Sequence, residues 1–228
     1  MIQSDQVIDV LKSNYDNITP VLKPGVSPEN IIFLDFTEAN SDLLSIDLSK
    51  TEVFVNYIEN LLDNYRKVGI GGYGEDRFIY KRSALFEGEK EPRSIHLGTD
   101  VWVSAGLKVY APLVSKVHSF NYNDNFGDYG GTIILEHELE GVQFYTLYGH
   151  LSKNSLDGLY ENKQIKRGES FALIGEPEEN GQWPPHLHFQ LIKDMLDKKG
   201  DFYGVAPPSE KEYYMNLCLD PKWILKLA

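Results

Sequence analysis

Between about residues 78 and 192 the chain is a succession of short β-branched or alternating runs separated by Gly, Asn and Pro. Examples are Val101-Trp-Val, Val109-Tyr-Ala, Thr132-Ile-Ile-Leu, Val142-Gln-Phe-Tyr-Thr-Leu and Phe171-Ala-Leu-Ile. Runs this short, with turn residues between them and no helical periodicity to carry crossovers, pair antiparallel. The pattern predicts a mainly β protein, α+β overall, built on an antiparallel sheet or sandwich. It excludes a doubly wound fold.

The N-terminal third reads differently, as a mixed and largely helical region. Residues 4–15 suit a short helix capped by Ser4, with Val7, Ile8 and Leu11 on one face. Ile31-Ile-Phe-Leu34 reads as a strand. Ser49-Lys-Thr-Glu52 has the spacing of a capping box. Phe54, Tyr57, Ile58, Leu61, Leu62 and Tyr65 then recur at helical spacing, and Gly69 is placed to end the helix. The expected division is an N-terminal extension over 1–78, a β-rich domain over 79–206 and a tail over 207–228 of loop and short helix.

Charge and cysteine usage narrow the function. Lys and Arg number 22 against 34 Asp and Glu, a net charge of −12, which argues against broad nucleic-acid or anionic-membrane binding. The single Cys218 cannot form an internal disulfide and reads as a packed thiol. The first twenty residues carry acids and no unbroken apolar stretch, and no run approaches the roughly 18 apolar residues of a membrane span. Membrane insertion is therefore not expected. The default expectation is a cytoplasmic protein, or a secreted or periplasmic one if a leader has been removed.

Two motifs fail on inspection. Gly69-Ile-Gly71-Gly72-Tyr-Gly74 has dinucleotide-loop spacing, but a helix is expected before it and none after, the reverse of what that site needs. His137-Glu138 begins like HExxH, yet Gly141 stands where the second histidine belongs, so His137 reads as a surface or structural residue. His118, without an acidic or histidine neighbour at ligand spacing, reads as a half-buried strand residue.

The other four of the six histidines form a pattern. His96-Leu-Gly-Thr-Asp100 sets an imidazole and a carboxylate four apart across Gly98. In His186-Leu-His188, both rings point to the same face of a strand. His150 closes the alternating run from Val142. A hydrolytic zinc site takes three ligands of His, Asp or Glu type and leaves one position for water. Two histidines and an aspartate satisfy that, and two histidines remain to handle protons.

These segments resemble the M23 peptidases, the lysostaphin- and LytM-like zinc endopeptidases. The resemblance rests on His96-Leu-Gly-Thr-Asp100, Tyr148-Gly-His150-Leu and Pro185-His186-Leu-His188-Phe-Gln in that order. Val109-Tyr-Ala-Pro112, Tyr129-Gly-Gly-Thr and Ile165-Lys-Arg-Gly168 lie between them, and the likeness covers roughly residues 93–192. It implies one zinc per chain held by His96, Asp100 and His188, with His150 and His186 as the catalytic pair. It implies an endopeptidase acting on peptidoglycan cross-bridges or glycine-rich peptides, with Tyr148, Trp183 and Trp102 as candidates to line the substrate groove. The alternatives are a non-catalytic zinc-binding regulatory module of the same fold, or a peptidase of small intracellular peptides. No protein partner is indicated. The acidic chain departs from the basic wall-binding character of some relatives, and residues 1–80 match no part of the pattern.

Overall fold

The computed structural model describes residues 5–23, 28–88 and 90–227. Its strands are β1 (Ile31–Leu34), β2 (Val68–Gly71), β3 (Ile95–His96), β4 (Thr99–Trp102), β5 (Lys108–Tyr110), β6 (Ser115–Asn123) and β7 (Gly130–Leu139). There follow β8 (Val142–Leu151), β9 (Gln164–Ile165), β10 (Ser170–Leu173), β11 (His186–Ile192), β12 (Val205–Ala206) and β13 (Cys218–Leu219). The helices are α1 (Gln6–Ser13), α2 (Ser41–Leu44), α3 (Thr51–Leu61), α4 (Lys211–Leu217) and α5 (Lys222–Leu225).

Among the described residues, nine strands form one sheet in the order β1-β2-β4-β11-β8-β7-β6-β9, with β13 beside the far end of β11. Only β1 and β2 run parallel; the other pairs of this sheet are antiparallel, as the runs predict. Period-two alternation sorts side chains between its faces. Val101, Leu187, Phe189, Leu191 and Tyr148 join the main apolar core, closed by α1, α5 and the β5–β10 pair. Asp100, Trp102, His186, His188 and Gln190 lie on the other face, where Trp102 meets Phe54 of α3 and Gln190 bonds Tyr203 O and Cys218 Sγ.

Several local expectations are corrected. The first helix is capped by Asp5, whose Oδ1 accepts from Val7 N at 3.0 Å, while Ser4 lies outside the described residues. No capping box forms at α3: Ser49 Oγ donates to Asp47 Oδ1 at 2.6 Å, and Lys50 occupies the cap position without a side-chain bond. The helix ends at Leu61 because Asp63, Asn64 and Tyr65 all take left-handed backbone, not at Gly69. Gly69 lies within β2, where a Cβ would stand 2.7 Å from Leu34 Cδ1, so the residue serves a close approach of strands. Strand β2 pairs β4 with Gly71 opposite Asp100, so the large sheet takes strands from both sides of residue 78. Cys218 is buried, and burial pushes its thiol up to about 12. No helix among the described residues is long and apolar enough to cross a membrane.

Candidate functional site

The pairing of β4 with β11 sets His188 opposite Asp100 and His186 opposite Trp102. Gly98 lets the intervening chain bring His96 alongside. A Cβ there would meet His188 Cε1 and Phe189 O, each at 2.7 Å, so this glycine provides close approach. The result is a tight triangle: His96 Nε2 to His188 Nδ1 is 3.0 Å, His188 Nδ1 to Asp100 Oδ1 is 3.0 Å, and His96 Nε2 to Asp100 Oδ1 is 3.2 Å. All three residues are buried.

The outer hydrogen bonds decide where the protons sit. His96 Nδ1 is 2.9 Å from the Gly72 carbonyl, which can only accept, so Nδ1 carries the proton and Nε2 is bare. His188 Nε2 faces Gln190 Oε1 at 3.0 Å, and the Gln190 amide is oriented by donating to Tyr203 O at 3.0 Å. His188 therefore donates through Nε2 and leaves Nδ1 bare. Burial raises the Asp100 carboxyl, but the neighbouring His96 ring and Arg77 guanidinium outweigh it and hold the group well below the usual carboxylate range. Burial, helped by Arg77, pushes His96 down to about 4. Three lone pairs thus converge with no proton between them, an arrangement that calls for a cation. Their spacing is near the roughly 3.4 Å separating ligands of a tetrahedral ion with bonds of about 2.1 Å, and nitrogen with carboxylate oxygen is a zinc donor set. Among the described residues these three form the group able to hold a metal.

His150 and His186 stand beside the triangle, their ring centroids 4.1 Å apart and their planes tilted by 37°. His186 Nδ1 donates to Pro184 O at 2.7 Å and His150 Nδ1 to Asn180 O at 2.8 Å, so each leaves Nε2 bare. His186 Nε2 lies 4.0 Å from Asp100 Oδ1. Burial pushes His186 down to about 4 and His150 well below the ordinary imidazole value, so both are neutral bases near pH 7. His150 reaches this face through a bulge. The register of β7 on β8 shifts between Gly131 and Ile133, and His150 adopts φ 61°. Plain alternation would send its ring to the opposite face with Tyr148.

These two histidines open on a cavity of about 260 Å³ walled by Tyr80, Phe86, Trp102, Tyr129, Trp183 and Tyr203. Trp102 stacks on His186 at 4.0 Å and Trp183 lies edge-on to it at 6.3 Å, so both expected lining residues border the cavity. Tyr148 does not. Its ring packs on Phe171 and Phe189 in the opposite core, and Thr146 Oγ1 donates to its hydroxyl at 3.1 Å. His137 proves structural, buried between Thr146 Oγ1 at 2.7 Å and Val114 O at 3.3 Å. His118 is half-buried and bonds Ser119 Oγ at 2.8 Å.

Sequence reasoning missed Gly72, Arg77 and Gln190. Gln190 had a signal, being the next same-face residue after His186 and His188 on β11. Arg77 had none. It is buried and donates from Nη1 to Asp100 Oδ2 at 2.5 Å and from Nε to Glu75 Oε2 at 2.8 Å.

Residues 94–200 match peptidase family M23. Among solved structures, a zinc-containing peptidase from Vibrio cholerae shares 29% identity over 43% of this chain and 27% of its own, with a TM-score of 0.35. This chain thus spans well under two thirds of that protein. The catalytic domain of the antimicrobial peptidase lysostaphin from Staphylococcus simulans shares 24% identity over 73% of this chain and 96% of its own, with a TM-score of 0.46. No curated protein sequence matches.

Proposed function

We propose, from the match of residues 94–200 to peptidase family M23, that this chain is a zinc-dependent endopeptidase that hydrolyses peptide bonds with His96, Asp100 and His188 holding the metal. The observation that carries the reading is the set of three proton-free ligand atoms flanked by two imidazoles whose bare Nε2 atoms are left without protein donors. A zinc ion held there supplies a Lewis acid for the scissile carbonyl and lowers the pKa of a water toward about 7. His186 and His150 do the proton work. Tied at Nδ1, they accept the proton of the attacking water at Nε2 and return it to the departing amine. Once protonated, the ring nearer the carbonyl oxygen donates to the developing oxyanion. Trp102 and Trp183 hold the two rings in place and exclude water from their outer faces.

Aromatic walls around a small cavity favour substrates with little side-chain bulk, and we assign the substrate class as glycine-rich peptides, including peptidoglycan cross-bridges. The test is zinc quantification after reconstitution, paired with cleavage assays on oligoglycine and peptidoglycan with and without chelator. Chelator-sensitive cleavage by a zinc-loaded chain is expected. No bound zinc removes the reading, and zinc without cleavage of any peptide replaces it with a non-catalytic zinc module.

A further inference from the structure

We propose that Arg77 is a positioning residue that fixes Asp100 as a single-oxygen metal ligand, so that the metal centre is completed from outside the segment that matches the family; this rests on the reading of His96, Asp100 and His188 as ligands. The carboxylate of Asp100 is divided between two jobs. Oδ2 accepts from Arg77 Nη1 at 2.5 Å, while Oδ1 is turned to His96 and His188 at 3.2 and 3.0 Å. A guanidinium on one oxygen removes the freedom of the carboxylate to rotate or to offer both oxygens.

Arg77 is itself held on several sides. Glu75 Oε2 takes its Nε at 2.8 Å, and the other Glu75 oxygen accepts from Phe36 N at 3.2 Å. Nη1 also reaches the Tyr80 hydroxyl at 3.3 Å, and the guanidinium lies 5.2 Å from the Phe36 ring centre and 5.8 Å from that of Tyr80. Its backbone N donates to Ser94 O at 2.9 Å, and Glu75 O accepts from His96 N at 2.9 Å, so the chain over 74–77 runs beside the strand that carries His96. Two residues before that segment, the Gly72 carbonyl fixes the His96 tautomer. A lysine at 77 keeps the charge but cannot bridge Glu75 and Asp100 together, because its ammonium is a single point on a flexible stem.

The test is zinc affinity of the full chain, measured by chelator competition in wild type, Arg77→Met, Asp100→Asn and the double variant. Partners that orient metal ligands are worth roughly 10- to 100-fold in affinity, and Arg77→Met is expected to lose that much. Because Arg77 acts through Asp100, the same change made in the Asp100→Asn background is expected to cost less than about 3-fold. Arg77→Lys is expected to fall between wild type and Arg77→Met, and it replaces Arg77→Met in the cycle should the latter not fold. His137→Ala controls for loss of stability, being buried away from the site, and is expected to leave zinc affinity unchanged. The proposal is overturned by Arg77→Met holding zinc as wild type does, or by losses that multiply in the double variant. Failure of the wild type to bind zinc would instead remove the reading of the site as a whole.

Discussion

His150 and His186 lie ring against ring, 4.1 Å between centroids, and each spends its Nδ1 proton on a main-chain carbonyl. One comes from the bulged end of β8 and the other from the first residue of β11, in regular register with β4. Neither ring supplies an atom to the His96–Asp100–His188 triangle.

That separation predicts a split between chemistry and metal content. His186→Ala is expected to retain about one zinc per chain and to lose at least about 100-fold in peptide hydrolysis, the usual scale of an acid–base group. Metal analysis and rate on the same preparation check it, and loss of zinc in this variant would move His186 into the ligand set.

Close approach at Gly98 makes it sensitive to the smallest substitution. Gly98→Ala sets a methyl 2.7 Å from Phe189 O and from His188 Cε1. Moving the imidazole relieves only one of these two clashes, so the main chain between the strands must give as well, at a cost of about 1–3 kcal/mol. Reduced zinc affinity and a lowered unfolding midpoint are expected; an unaltered zinc titration would show that the ring tolerates the shift.

Removal of metal is expected to lower stability by an amount set by affinity. Zinc at 100 times its dissociation constant adds about 2.7 kcal/mol to the folded state. Thermal unfolding with chelator and with excess zinc measures it directly. In Asp100→Asn the difference between the two conditions is expected to shrink toward zero.

Acid stability carries the signature of His137, which lies apart from the metal triangle. Burial pushes this imidazole down to about 4, so its folded-state pKa lies below the ordinary value of about 6.5. Between those values the unfolded chain binds the extra proton, and stability therefore rises with pH. The contribution is complete above about 6.5, declines as pH falls and levels off below about 4, at most about 3 kcal/mol in all. In His137→Gln, measured on apo protein, the slope of unfolding free energy against pH is expected to lose about one proton in that window; an unchanged slope would place the titration elsewhere.

Residues 1–78 bear on the division of the chain. We infer that β2 and the segment from Gly72 to Phe86 act as one unit with the β-rich region, because Gly71 pairs with Asp100 and Tyr80 and Phe86 wall the cavity. Deleting 1–78 would uncover the faces of Trp102 and Trp183 that Phe54 covers. Loss of cooperative unfolding is expected by circular dichroism, and a folded 79–228 fragment with wild-type zinc affinity would support the division at 78.

What could be read from the residues follows from where the information lay. His186 and His188 share a face because strands alternate, and His96 with Asp100 fits because four residues span a short reversal between β3 and β4. Strand β2 escaped notice because Val68-Gly-Ile-Gly71 carries half its positions as glycine and reads as loop. Its strand character comes from neighbours on both sides, β1 and β4, which no local pattern reports. Arg77 stayed hidden for the same reason, its partner lying on a strand it meets only in the fold. Tyr148 was misplaced because the motif around it sits at a bulge, where counting by twos fails after Gly149.

Three of the four site histidines owe their tautomer to a main-chain oxygen, from Gly72, Pro184 and Asn180. Those contacts belong to no replaceable side chain. A scan that swaps residues one at a time would record positions 72, 180 and 184 through whatever else they do and would leave the locks themselves unseen. The polarity of the centre is written in the route of the backbone, and the substitutions able to alter it are the ones that bend that route, such as a Cβ at Gly71, which would press on Arg77 Nη2 at 2.6 Å one residue before the carbonyl that serves His96.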